Sequence, residues 1–360
     1  MNLFRYLCLK IYLLMLKSTN YLPAEWELQS GVQLTWPHED TDWKPYLQEI
    51  TSVFLEISRI ILHQEKLLIV SPDIKATEAL LKKNIDNSLL GNLRLLECDS
   101  NDTWARDHAF LTLSTGNAPL LLDFRFNAWG EKFAWEKDNA INRHLRDSDL
   151  LKGTYKDEMD FVLEGGSIES DGKGTIFTTS TCLLAPHRNQ PLTKKDIEVQ
   201  LKRRLHAQRI VWLNHGFLAG DDTDGHIDTL VRTAPNDTLL YVRCTEEDNP
   251  QYAELKALEQ QLKNLKTMEG QSYRLLSLPM PDEITFGGEP LPATYANFLI
   301  LNEAVIVPTY GQKDKDEEAM ATIAKAFSGR EITSIDARII IRQHGSIHCL
   351  TMQYPENVII

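Results

Sequence analysis

A chain of 360 residues with 42% hydrophobic and 25% charged residues can bury one large core or two ordinary ones, which excludes a disordered or fibrous polypeptide. A formal net charge of -13 argues against nucleic acid as a partner, because phosphate binding needs a basic surface, and it is compatible with a cationic substrate. The five cysteines, Cys8, Cys98, Cys182, Cys244 and Cys349, are odd in number, scattered and free of any CxxC pair, so no disulfide framework or zinc finger is expected and a reducing cytosol fits best.

The chain begins MNLFRYLCLKIYLLMLKSTN. Its apolar run is broken by Lys10 and Lys17, lacks a small-residue cleavage site, and is too short to span a bilayer. Residues 1–20 are read as an extension outside the fold, with Met15 the expected physiological start; a weak membrane-targeting segment is the alternative. No membrane partner is expected. From there on, apolar and β-branched runs predict strands at 66–70, 92–98, 118–124 and 174–179, and helical apolar spacing predicts helices over 44–64, 194–207, 250–265 and 314–327. The interleaving implies α/β units, and with no low-complexity linker, residues 21–360 read as one domain.

A looser regularity runs through the same elements. Five segments bring a polar cluster up against a strand, marked by Asp107, Glu164, Asp228, Asn297 and Cys349 at steps of 57, 64, 69 and 52 residues. Repetition on that scale suggests a radial architecture in which each unit presents its polar end to a common axis.

Four clusters could carry chemistry. In NDTWARDHAF (101–110), Arg106 and Asp107 read either as a structural ion pair at a strand start or as a carboxylate aimed at a cation, with the π-face of Trp104 beside it. In LEGGSIESDGKGTIFTT (163–179), Gly165 and Gly166 let the backbone turn sharply after Glu164, and SDGKG predicts a hairpin; a β-hairpin with an incidental glutamate is the plainer reading. GDDTDGHID (220–228) holds four aspartates and His226 but lacks the pattern of a calcium loop and a second histidine for zinc or iron. Strand alternation would put His226 and Asp228 side by side, as a base and a carboxylate serving one pocket. In HGSIHCLT (344–351), an extended strand would send His348 to the face opposite Cys349, so any base for Cys349 is expected from elsewhere. A free buried thiol is usually inert and becomes a nucleophile only where a cationic neighbour stabilises its thiolate.

Taken together and in order, these clusters resemble the agmatine deiminase family of the guanidine-modifying, or pentein, superfamily. PAEWE (23–27), LTWPHEDTDW (34–43) and FNAWGEKF (126–133) extend the resemblance over nearly the whole chain from Tyr21. It implies a five-bladed α/β propeller, with pseudo-fivefold ββαβ-type repeats and the active site on its axis. It also implies Cys349 as nucleophile, His226 as general acid and base, Asp107 and Asp228 as the guanidinium clamp, Glu164 as the support of His226, and Trp104 as a pocket aromatic. A guanidinium is planar with paired N–H donors, so two carboxylates can fix its plane and neutralise its charge. Hydrolysis of agmatine to N-carbamoylputrescine and ammonia, within putrescine synthesis in the cytoplasm, is the expected activity, with no metal or organic cofactor.

QHGSIHC (343–349) departs from the family's glycine-rich, asparagine-containing turn, which leaves specificity less fixed than chemistry. The alternatives are another guanidine deiminase (peptidyl-arginine, or free arginine with Arg106 or Arg188 as carboxylate anchor), a metal-dependent hydrolase built on GDDTDGHID, and an inactive guanidine-binding module. The sequence names no residue for the distal amine of agmatine, where an acid is expected, and leaves a homo-oligomer open.

Overall fold

In a computed structural model describing residues 20–360, five small sheets stand in succession along the chain, each built on one connectivity. The expected start at Met15 and the extension before it lie outside the described residues. Strands β1 (Gln29–Thr35), β2 (Lys66–Ser71) and β3 (Leu93–Glu97) form the first sheet, and β4 (Leu111–Leu113), β5 (Leu120–Arg125) and β6 (Thr154–Val162) the second. The third holds β7 (Ile168–Ser170), β8 (Thr175–Thr179) and β9 (Arg209–Leu213); the fourth β10 (Val231–Ala234), β11 (Thr238–Arg243) and β12 (Arg274–Pro279). A short hairpin, β13 (Thr285–Phe286) with β14 (Glu289–Pro290), precedes the fifth sheet of β15 (Leu299–Ile300), β16 (Ala304–Thr309) and β17 (Glu331–Asp336). The last strand, β18 (Thr351–Pro355), joins the first sheet.

Within the second to fifth sheets an antiparallel hairpin is followed by a helix and a parallel strand, and the first sheet carries two successive parallel pairs, β1 with β2 and β2 with β3. β4 pairs antiparallel with β5 and β5 parallel with β6; β7–β8–β9, β10–β11–β12 and β15–β16–β17 repeat the pattern. In the first sheet the antiparallel partner of β1 is β18, so the two ends of the chain meet there and close the ring. The result is the expected five-bladed α/β propeller. The predicted strands are found at 66–71, 93–97, 120–125 and 175–179.

Of the longer helices, α1 (Leu47–Leu62), α4 (Lys194–Arg204), α5 (Tyr252–Asn264) and α6 (Lys313–Ala326) fall where apolar spacing predicts them, while α2 (Ile74–Asn84) and α3 (Glu136–Arg146) were not expected from the sequence. In α1, Ile50, Phe54, Ile57 and Ile61 recur at helical spacing and are fully buried. Helix α4 starts on a capping box, in which the Thr193 hydroxyl accepts from the Asp196 amide and the Asp196 carboxylate accepts from the Thr193 amide. Buried parallel strands such as β2 and β16 are apolar on both faces, as strands covered on two sides must be.

Every marker residue stands just ahead of the first strand of its blade: Asp107 before β4, Glu164 before β7, Asp228 before β10, Asn297 before β15 and Cys349 before β18. The short connections that carry them are turns rather than strands. Asp107 lies in a single helical turn (Ala105–His108), Gly165–Ser167 and Ile227–Thr229 form 3-10 turns, and residues 347–350 form a turn. This corrects three expectations. WARD is not a strand start, His226 and Asp228 are not alternate residues of a strand, and Cys349 does not lie in one. Among the described residues no helix is long and apolar enough to cross a membrane.

Candidate active site

The five turns touch one another in a closed circuit. The Gly166 amide donates to Asp107 Oδ1 at 2.9 Å, and His226 Nε2 lies 3.3 Å from Glu164 Oε2. Asn297 Nδ2 donates to Asp228 Oδ2 at 3.1 Å and stands 3.3 Å from Cys349 Sγ, and the Arg106 amide donates to the Cys349 carbonyl at 3.1 Å. Residues scattered from 106 to 349 therefore share one buried centre. Glu164, His226 and Asp228 are fully buried, and Asp107, Trp104 and Cys349 nearly so.

Above this centre lies a cavity of about 360 Å3, lined at its base by Cys349, Asp107, Trp104 and Trp129, and toward its mouth by Asp42, Asp102, Asp221 and Asp222. All six residues named from the sequence lie in or directly beneath this centre. Gly166 explains the EGG motif: a Cβ there would sit 2.6 Å from His226 Nδ1, 2.9 Å from Asp107 Oδ1 and 3.1 Å from Asp228 Oδ2. Only a residue without a side chain leaves these three groups their places.

The charges are arranged unevenly. Burial pushes the Asp107 carboxyl up, with Asp228 and Glu164 adding to the rise and His226 opposing it. Burial also acts on Asp228, but the His348 imidazole bonded to it prevails and holds its pKa below the usual range. For Glu164, burial is outweighed by Arg188 and His226, so it stays ionised; Arg188 Nε donates to both of its oxygens at 3.1 Å. Burial disfavours an imidazolium at His226, yet Asp107, Cys182 and Glu164 together raise its pKa well above its usual value. The Cys349 thiol is raised well above the ordinary range by burial and then by the charges of Asp228 and Asp107. The resting pair is thus a neutral thiol and a protonated histidine.

Two buried polar atoms at this centre have no hydrogen-bond partner among the described residues, Asp228 Oδ1 and His226 Nδ1, the latter standing 3.8 Å from Asp107 Oδ1. Each is costly to leave bare, and both belong to groups suited to a planar cation and its proton transfers. Trp129, which lies in the FNAWGEKF segment but has no role legible there, donates its indole N–H to Asp107 Oδ2 at 2.9 Å. Asn297 was a marker of periodicity only, but its side chain touches both Asp228 and Cys349, and its Oδ1 accepts from the amides of His348 and Cys349. His348 places Nδ1 2.8 Å from Asp228 Oδ2 and Nε2 2.8 Å from Glu25 Oε1, so its ring is engaged away from Cys349. It does so from a turn at residues 347–350 and not from the extended strand that the alternation rule assumed.

Other candidates are tied up elsewhere. Arg188 binds Glu164, Asp224 and the Thr223 carbonyl, and Arg106 binds Glu25, Gln353 and the His348 carbonyl; neither lines the cavity. In GDDTDGHID, Asp221 accepts from Thr223 and Gly225, and Asp224 pairs with Arg188 and Lys132, so these aspartates fold their own loop rather than converge as ligands. Among the described residues, the donor clusters close enough to share an ion are Glu164–Cys182–His226 and Glu25–Glu169–His348, but Arg188 pairs with Glu164 of the first and Arg232 with both glutamates of the second.

A five-bladed α/β propeller with a cysteine, a histidine and two carboxylates converging on its axis is the layout of the guanidine-modifying enzymes. The chain belongs to one family of them: the model of the Porphyromonas-type peptidyl-arginine deiminases matches residues 21–355. A Marinomonas sp. (strain MWYL1) protein with a provisional agmatine deiminase name is 32% identical, covering 93% of this chain and 94% of its own. Among solved structures, a Porphyromonas gingivalis protein provisionally described as an arginine deiminase is 45% identical with a TM-score of 0.90, covering 95% of this chain and 100% of its own. A C. jejuni agmatine deiminase variant with substrate bound is 37% identical with a TM-score of 0.86, covering 94% and 97%.

Proposed function

We propose that this protein is an agmatine deiminase, hydrolysing agmatine to N-carbamoylputrescine and ammonia. The carrying observation is the cavity lining, where five aspartates (42, 102, 107, 221 and 222) surround a space that, among the described residues, is lined by no lysine or arginine. Such a lining suits a substrate cationic at both ends and offers no partner for the α-carboxylate of free arginine. The family name and the C. jejuni and Marinomonas relatives support the same reading. The acids at the mouth are suited to receive the distal amine.

In this mechanism the guanidinium enters between Asp107 and Asp228 and meets the bare Oδ1 of Asp228. Its charge cancels the two carboxylates that keep Cys349 protonated, so binding itself favours the thiolate, and because His226 is already protonated the thiol proton leaves to solvent as the cation binds. The thiolate attacks the guanidinium carbon to give a tetrahedral adduct. His226, held protonated, donates to the departing nitrogen as the C–N bond breaks, leaving ammonia and a covalent thiouronium. Neutral His226 then takes a proton from water, whose oxygen attacks the same carbon; the C–S bond breaks and the ureido product leaves. Glu164, fixed by Arg188, orients His226 throughout. We read residues 21–360 as one catalytic domain working in the cytoplasm in putrescine synthesis.

The test offers purified protein agmatine, arginine and a blocked arginine peptide, and measures ureido product and ammonia. Turnover of agmatine well above the other two is expected. An untouched agmatine beside a consumed peptide overturns the assignment.

A further inference from the structure

Below the catalytic centre, on the side away from the cavity, lies a second buried constellation that the chemistry above does not use. His348 is fully buried in the turn between β17 and β18, with one ring nitrogen on Asp228 and the other on Glu25. Glu25, from the PAEWE segment near the start of the described chain, also pairs with Arg106 and Arg232. Arg232 pairs in turn with Glu169 and donates to the carbonyls of Ala296 and Phe298. The backbone amide of His348 donates to Asn297 Oδ1 at 3.0 Å, and Arg106 Nε donates to its carbonyl, so the turn cannot swing.

One ring nitrogen of His348 is thus addressed to Asp228 and the other to Glu25, while Glu25 also holds Arg106 and Arg232. Asp228 spends its Oδ2 on His348 and Asn297 while its Oδ1 is left bare in the centre.

We propose that His348, clamped from behind by Glu25, is a positioning residue for substrate binding: it fixes the plane of Asp228, so that the bare Oδ1 is presented to the guanidinium. His348 touches no reacting atom; it acts through Asp228. The inference rests on the deiminase reading and adds a buried Glu25–His348–Asp228 relay to it. The burial that would protonate Asp228 is opposed chiefly by its bond to His348, which is in keeping with this role.

Two substitutions separate positioning from mere filling. In His348→Asn the side-chain amide reaches the place of Nδ1 and still donates to Asp228, whereas in His348→Gln it reaches the place of Nε2 and addresses Glu25 alone. Glu25 keeps both arginines in either variant, so the surrounding cluster stays paired. The experiment is isothermal titration of agmatine into the Cys349→Ser protein, which cannot turn over, with and without each change. We expect His348→Gln to weaken binding about 10- to 100-fold, the scale of a lost hydrogen bond to a buried charge, and His348→Asn to recover most of it. Adding His348→Gln to Asp228→Asn should change affinity no further, because the residue through which His348 acts is already altered. Equal losses in the two His348 variants with matching falls in Tm, an unchanged affinity in His348→Gln, or additive effects with Asp228→Asn would each overturn the proposal. Turnover of agmatine by the wild-type protein is measured first: its absence overturns the agmatine reading and the inference with it, whereas turnover beside an insensitive His348 overturns the inference alone.

Discussion

Gly166→Ala places one methyl group among His226, Asp107 and Asp228, three side chains of the proposed catalytic centre. Gly166 lies outside the left-handed region, so alanine can adopt its backbone without strain and the whole effect is steric. The new Cβ would stand 2.6 Å from His226 Nδ1 and 2.9 Å from Asp107 Oδ1, where ordinary contact begins at 3.4 Å. The imidazole must therefore retreat by about 0.8 Å and the carboxylate by about 0.5 Å. Neither has free room, since His226 is held by Glu164 and Asp107 by Trp129. Overpacking of this kind costs about 1–3 kcal/mol of stability, a few degrees in Tm. A displacement approaching 1 Å of a group that must be in line with the reacting atoms costs about 100-fold in rate. Steady-state release of ammonia from agmatine, with Tm as a control for folding, reads both quantities. A folded Gly166→Ala protein with kcat/KM within about threefold of wild type would refute the reasoning, because His226 and Asp107 could then move without consequence.

Three further outcomes follow from the same geometry. Gly345→Ala would drive a Cβ into the six-membered ring of Trp104, displacing the indole that walls the cavity; KM for agmatine should rise about 3- to 30-fold, the worth of one cation–π contact, with kcat little changed. In the free enzyme, alkylation of Cys349 by iodoacetamide, followed by peptide mapping, should still be accelerating above pH 9, since burial, Asp228 and Asp107 raise the thiol. Asp228→Asn should move that inflection downward, and a wild-type plateau below pH 8 would contradict a neutral resting thiol. Burial lifts the carboxyls of Asp102 and Asp222 at the mouth to about 6, with Asp42 and Asp221 respectively adding to the rise. Protonation below that value removes negative charge facing the distal amine, so KM for agmatine should climb as pH falls through about 6; a flat KM from pH 7 to pH 5 would show that these acids do not contribute.

Local signals in the sequence were sufficient wherever a residue's role depends on its neighbours in the chain. Runs such as KLLIV and GTIFTT are strands because β-branched and aliphatic side chains suit surfaces buried on both sides, and all four expected strands formed. The five polar markers were legible as a period because each blade repeats one connectivity and exposes the head of its first strand to the axis. The strand premise misled at His226 and His348, where the chain turns just before the strand begins, although His226 and Asp228 do meet at one centre and His348 is bonded to Asp228 and Glu25 rather than to Cys349. Glu25 carries no local sign of its role, since it lies 323 residues from the histidine it holds. The contacts of Asn297 and Trp129 were invisible for the same reason: a polar group's partners in a buried network are chosen across blades, and hydropathy carries no record of them.

The position of Cys349 ties activity to completion of the fold. Strand β18 is the antiparallel partner of β1, from Gln29 opposite Pro355 to Leu34 opposite Thr351, and Cys349 stands immediately ahead of that pairing. Four of the five marker residues belong to blades whose strands lie close together in sequence; the fifth takes its place only when the two ends of the chain have joined. At that moment the Cys349 carbonyl accepts from Arg106, Arg106 reaches Glu25, and the turn brings Cys349 onto Asn297 and Asp228. An open ring would hold the carboxylates of blades two to four without a nucleophile, and its thiol would meet none of the charges that restrain it. With Cys349, the proposed nucleophile, in the turn just ahead of the strand that pairs with β1, the candidate centre is complete only where the ring is closed.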